Sequence, residues 1–200
     1  MSIVRRWWPI PVLLASSIVV QRVLVESRYD VSGHATGHLQ SATVVFPAVV
    51  IVATLLYATP RARRQPLVLV PCAMWLLSTV LVFVGNIRVV DALVDAGLAD
   101  TPTSQLVMTK TLESAHDLAD LAPWFGVVSA LAVTAALWRY GHISVRVAVG
   151  AALLSLIFPP WFFPGAGMLV ITIARCIAFQ REASHSGRSA DAPSLTEIPS

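Results

Sequence analysis

The chain has 200 residues, of which 56% are hydrophobic and only 12% charged, with a formal net charge of +3. A soluble domain carries about 25% charged residues, so this composition, with 13 prolines as well, excludes both a water-soluble globule and a disordered chain. The expected class is an all-α integral membrane protein, a compact bundle of helices whose first partner is the lipid bilayer and not nucleic acid.

A spanning helix needs about 20 largely apolar residues. In chain order, such stretches run from Trp7 to Val25, Leu39 to Ala58, Pro66 to Gly85 and Leu118 to Trp138. A last apolar block, Val145 to Phe179, is too long for one span and contains Pro159-Pro160-Trp161-Phe162-Phe163-Pro164-Gly165. That density of proline and glycine ends a helix, so the block predicts a hairpin of two short spans around an aromatic turn, or in a variant a re-entrant loop. The expected total is about six transmembrane helices, four long and two short, forming one domain over residues 1–180. The polar, aperiodic stretch 181–200 reads as a disordered cytoplasmic tail.

Between the third and fourth spans lies an outer loop of about residues 86–117. Ile87, Val90, Val94 and Leu98 recur there at helical spacing, which predicts an amphipathic helix lying on the membrane surface or on the bundle. Thr101-Pro102-Thr103-Ser104 breaks it, and a second helical stretch leads into span four.

Charge distribution sets the orientation. With the N-terminus inside, ten of the 14 basic residues fall on the inner side and eight of the 11 acids on the outer side. This is the positive-inside pattern, and it places both termini in the cytoplasm. Thirteen of the basic residues are arginine and one is lysine, amid abundant Ala and Val. That bias points to a GC-rich bacterial genome, and hence to a bacterial inner membrane. Arg5-Arg6 before an apolar run could open a signal peptide, but Trp7-Trp8 and the lack of an Ala-x-Ala-like site favour a retained anchor. The short inner loops Arg61 to Arg64 and Arg139 to Arg146 serve orientation, and they also suit anionic headgroups.

Helix centres offer only hydroxyls, among them Ser17, Thr54, Ser78, Thr79, Ser129, Thr134, Ser155 and Thr172. Such groups bond back to their own helix or a neighbour. No carboxylate or lysine falls at a span centre, which argues against a proton- or sodium-coupled carrier.

The outer boundary differs. Arg22 and Glu26 lie four apart near the end of span one, and Asn86 and Arg88 end span three. His34 and His38 lie four apart in Ser32-Gly33-His34-Ala35-Thr36-Gly37-His38, a Gly-rich segment leading into span two. Glu113, His116, Asp117 and Asp120 form one stripe at the start of span four. All share one depth and one side. His34, His38, His116 and Asp120 would supply three nitrogens and a carboxylate to zinc, iron or copper, and His34 or His38 with His116 would suit a haem. The competing reading leaves the histidines solvated and the acids serving the helix dipole.

Ser32-Gly33-His34-Ala35 resembles the central motif of the membrane phosphatidic acid phosphatases, but their Lys- and Arg-containing first motif and their later Ser-Arg with a catalytic His have no counterpart. Glu113-x-x-His116 resembles half of a carboxylate di-iron site, whose second Glu-x-x-His is missing. Five histidines are too few for the membrane desaturases. With no complete catalytic motif, the expected function is a non-catalytic accessory or assembly subunit of a larger envelope complex, contacting other membrane subunits. The alternative is a small membrane enzyme or a metal- or haem-binding protein with its site at the outer interface.

Overall fold

In the computed structural model the described residues are 9–101, 110–157 and 166–190, with the backbone alone described at 9 and 184–190. They form α1 (Pro9–Glu26), α2 (Gly33–Ser41), α3 (Val45–Ala58), a 3-10 turn (Ala62–Arg64), α4 (Pro66–Asp95), α5 (Lys110–Arg139), α6 (Val145–Ile157) and α7 (Ala166–Ala190). No strand occurs among the described residues. Gly33–Ala58, Pro66–Asp95 and Lys110–Arg139 are long and apolar enough to cross a membrane.

The two 30-residue helices, α4 and α5, each rise about 45 Å and pack antiparallel. Each stops in the same way. Gly97 and Gly141 take φ of +68° and +71°, which costs glycine nothing. The following N–H groups, of Leu98 and His142, then reach back to Leu93 and Leu137 carbonyls at 2.8 Å each. This is the Schellman closure. α4 starts with Pro66 in its first turn, where the missing N–H is no loss.

Four expectations need correction. Span three does not end at Gly85: α4 continues to Asp95 and absorbs the predicted surface helix. Val89, Val90 and Leu93 are buried in one cluster with Leu112, Ala115 and Ala119 of α5, so of the expected stripe Val90 faces a neighbouring helix, Ile87 and Leu98 are half-buried and Val94 is 44% exposed. The outer connection shrinks accordingly to residues 96–109, of which 102–109 lie outside the described residues. The Gly-rich segment before span two is not a loop but helix α2, with Ala35 and Leu39 buried on one face. Finally α7 runs to Ala190, so the first half of the expected disordered tail is helical; 191–200 lie outside the described residues. The C-terminal hairpin has its two helices, α6 and α7, while its aromatic turn at 158–165 also lies outside them.

Two core clusters occupy the two ends of the bundle. One joins α3, α4, α5, α6 and α7 around Ile51, Leu55, Val68, Trp75, Val133 and Leu137. The other joins α1, α2, α4 and α5 around Val25, Leu39, Leu93 and Leu112. Gly85 makes their junction possible: a Cβ there would stand 2.8 Å from Ala119 N and 2.9 Å from its Cα, so only glycine lets the α4 and α5 backbones touch.

Buried polar side chains close the breaks between helices. Gln21 is 4% exposed; its amide donates to Ala42 O at 2.8 Å and its carbonyl accepts from Phe46 N at 3.0 Å, satisfying both sides of the α2–α3 turn. At the other end Arg175, 5% exposed, donates to Ala58 O at 3.0 Å and His142 O at 2.9 Å, pinning the α3–α4 and α5–α6 connections to α7. Burial, and then the charge of Arg175, hold the pKa of His142 below its ordinary value. The helix-centre hydroxyls of Ser17, Ser78, Thr79, Ser129, Thr134, Ser155 and Thr172 all bond back to carbonyls of their own helices.

Candidate metal centre

The histidine end is assembled by the chain around α2. Gly33 opens that helix with φ +60°, and a Cβ on it would stand 2.9 Å from Thr101 O. The loop after α4 is therefore packed directly on the start of α2. Asp100 fastens it there, accepting from Ser32 N at 2.9 Å and Ser32 Oγ at 2.7 Å, a carboxylate at the positive end of a helix. On the other side, Tyr29 donates its hydroxyl to Asp91 at 2.7 Å, tying the α1–α2 connection to α4. Burial, then that bond, raise the Tyr29 pKa above its usual 10.0.

One helical turn apart, His34 and His38 point from α2 toward α5, where His116 meets them. His38 Nε2 lies 3.1 Å from His34 Nε2, and His34 Nε2 lies 3.4 Å from His116 Nε2. One ligand atom from each of the three falls within 4.8 Å of the other two.

The outward nitrogens determine which atoms face inward. Asn86, buried on α4, donates its amide to Val82 O at 2.8 Å, which orients its carbonyl oxygen toward His38 Nδ1 at 2.7 Å. That oxygen only accepts, so His38 Nδ1 carries the proton. His116 Nδ1 lies 2.8 Å from Leu112 O and must likewise donate. In the neutral rings the Nε2 atoms of His38 and His116 then present lone pairs. With the proton on His34 Nε2 that ring can donate toward one or both neighbours; with the proton on its Nδ1 instead, three Nε2 lone pairs face one another, and a cation among them would accept all three.

The spacing suits such a cation. Zinc–imidazole bonds are about 2.0–2.1 Å, and a tetrahedron with that bond length has ligand edges of about 3.3–3.4 Å. The observed 3.1 and 3.4 Å bracket this value. Metal-bound histidines typically donate their other ring N–H to a carbonyl or carboxylate, as His38 and His116 do here. Haem fits poorly. Two axial nitrogens stand about 4 Å apart, twice a metal–nitrogen bond, with a porphyrin between them. Here His34 Nε2 stands only 3.1 and 3.4 Å from the Nε2 atoms of His38 and His116, less than that spacing.

The three rings form one wall of a cavity of about 420 Å³, shared with Asn86, Gln40 and Asp120. Asp120, one turn beyond His116, lies on that wall but outside the close group of three. The rest of the predicted polar cluster does not converge. Arg22 and Glu26 pair with each other at 2.6 Å, each about half exposed (54% and 47%). Arg88, Glu113 and Asp117 are exposed, and no ion pair joins the acidic stripe to Arg22 or Arg88 among the described residues.

Sequence reasoning missed Gln40 and Ser41 on the cavity wall, Asp100 as the anchor of α2, and Asn86 as the partner of His38 specifically. The signal for α2 was present: Ala35, Leu39 and Ala42 lie at i, i+4 and i+7 and all are buried, the stripe of an amphipathic helix. No protein-family model, curated protein or solved structure matches the chain.

Proposed function

We propose that this chain is a multi-pass membrane protein that binds one transition-metal ion of the zinc class through His34, His38 and His116 at the outer boundary of the bilayer. The observation that carries the reading is the approach of His38 and His116 Nε2 to His34 Nε2 at 3.1 and 3.4 Å, near tetrahedral-edge spacing, with one ligand atom of each ring within 4.8 Å of the others and the opposite nitrogens of two rings committed to carbonyl acceptors. A scaffold alone sets no task for three facing imidazoles, so this reading takes precedence over an accessory subunit without chemistry.

The membrane part rests on independent support. Large apolar side chains are exposed on most helices, among them Val19 60%, Leu67 60%, Leu121 68%, Val128 62% and Ile157 72%. Such a surface suits lipid and not water. The positive-inside distribution puts the histidine end outside and both termini in the cytoplasm, in a bacterial inner membrane. With α1 and the C-terminal pair, the count reaches six membrane-embedded helices.

The test is the metal content of the detergent-purified chain after dialysis against zinc, compared with His34→Ala, His38→Ala and His116→Ala. One zinc per chain in the native protein, lost in each variant while its thermal unfolding stays cooperative, is the expected result. Retention of zinc in any of the three folded variants would remove that residue from the site.

A further inference from the structure

Resting on the metal reading above, we infer that the fourth coordination position is open to the 420 Å³ cavity, and that the site hydrolyses a neutral acyl ester of an amphiphile, with Asp120 as general base. Three protein ligands with a vacant fourth position are the pattern of catalytic zinc, whereas structural zinc is closed by a fourth side chain. Asp120 lies outside the close group of three yet on the same cavity wall, where a carboxylate is suited to accept a proton from water held in that position.

The walls indicate the substrate class. Among the described residues no lysine or arginine lines this cavity, while Gln40, Ser41 and Asn86 do; Ser41 and Asn86 already bond to Gly37 O, Val82 O and His38, which leaves the Gln40 amide as the neutral group turned to a ligand. A neutral donor beside one carboxylate suits a carbonyl and disfavours a phosphate. The position indicates an amphiphile. Asp120 heads a stripe on α5 that continues through Trp124 and Val128, 48% and 62% exposed, with Leu121 beside it at 68%. The cavity therefore opens where an apolar, lipid-facing strip meets the polar end of the bundle. A molecule lying in the outer leaflet would present its headgroup-proximal ester there.

The reaction balances without an oxidant or reductant. Water in the open position loses a proton to Asp120 as its oxygen bonds to the acyl carbon, and the carbonyl π electrons move onto oxygen. Re-forming the carbonyl breaks the bond to the alcohol oxygen, and the departing alkoxide takes the proton from Asp120. One ester and one water give one carboxylic acid and one alcohol. The bound cation supplies positive charge against the oxyanion.

The experiment uses the full chain in lipid nanodiscs, cobalt(II)-loaded for spectroscopy and zinc-loaded for turnover of 4-nitrophenyl decanoate. Azide should change the cobalt visible spectrum by entering the open position. The zinc form should release nitrophenolate, and Asp120→Asn should keep one metal per chain while turnover falls about 10²-fold or more, the usual contribution of a general base. A spectrum indifferent to azide, loss of metal in Asp120→Asn, or a loaded protein without turnover would each overturn the inference and leave the three-histidine site standing. Failure of the native chain to bind either metal would instead overturn the reading beneath it.

Discussion

Replacing Asn86 with alanine tests the second layer of the site without touching a ligand. The side chain is 5% exposed and makes two bonds, to Val82 O at 2.8 Å and from His38 Nδ1 at 2.7 Å. Losing the first costs about 0.5–1.5 kcal/mol of stability. Losing the second frees His38 to rotate and to place its proton on Nε2, where it blocks coordination. Removing such an outer partner typically costs 10- to 100-fold in metal affinity, which is about 1.4–2.8 kcal/mol. Asn86→Asp keeps an acceptor facing His38 and should lie near the native value or above it. The assay is competition for zinc against a chromophoric chelator in detergent, with thermal unfolding of the metal-free protein recorded alongside. Equal zinc affinity in native protein and Asn86→Ala would refute the reasoning, as would an Asn86→Asp variant as weak as the alanine one.

Gly85→Ala should be costly, because its Cβ would meet Ala119 N at 2.8 Å; overpacking of this kind costs about 1–3 kcal/mol. Metal-free unfolding should shift down and zinc binding weaken, whereas Gly37→Ala, with nothing within 4 Å of its Cβ, should leave unfolding unchanged or slightly raised. Zinc binding should weaken as pH falls, because protons compete with the metal for the imidazole nitrogens, and an affinity that does not change as the pH is lowered to the point of unfolding would count against histidine ligation. Cysteines introduced at Asp95 and Arg63, both exposed, should react with an impermeant maleimide from the outer and the cytoplasmic side respectively, and the reverse pattern would invert the topology.

Composition and hydropathy made the helical class and most helix positions legible, because long apolar runs bounded by arginine are the pattern of helices long and apolar enough to cross a bilayer. Continuity was less legible. Residues 86–95 are amphipathic, and sequence alone does not say whether lipid or a neighbouring helix covers their apolar face; here Leu112, Ala115 and Ala119 do. The candidate site was legible in its ligand types, since the four-residue spacing of His34 and His38 demands one helix face. Which acid stands beside them was not. Glu113, Asp117 and Asp120 share one stripe, and only the crossing of α2 over α5 brings Asp120 onto the cavity wall while leaving the other two outside. Gln21 and Arg175 escaped notice because their work is to satisfy backbone groups at breaks that only the folded chain creates.

X-ray absorption at the zinc edge of the loaded, full-length chain tests the three-histidine centre most directly. The account predicts a four-coordinate ion with three imidazole nitrogens at about 2.0–2.1 Å and one further oxygen, with outer-shell scattering from three imidazoles. A six-coordinate ion surrounded by oxygen, or outer-shell scattering from fewer than three imidazoles, would contradict it.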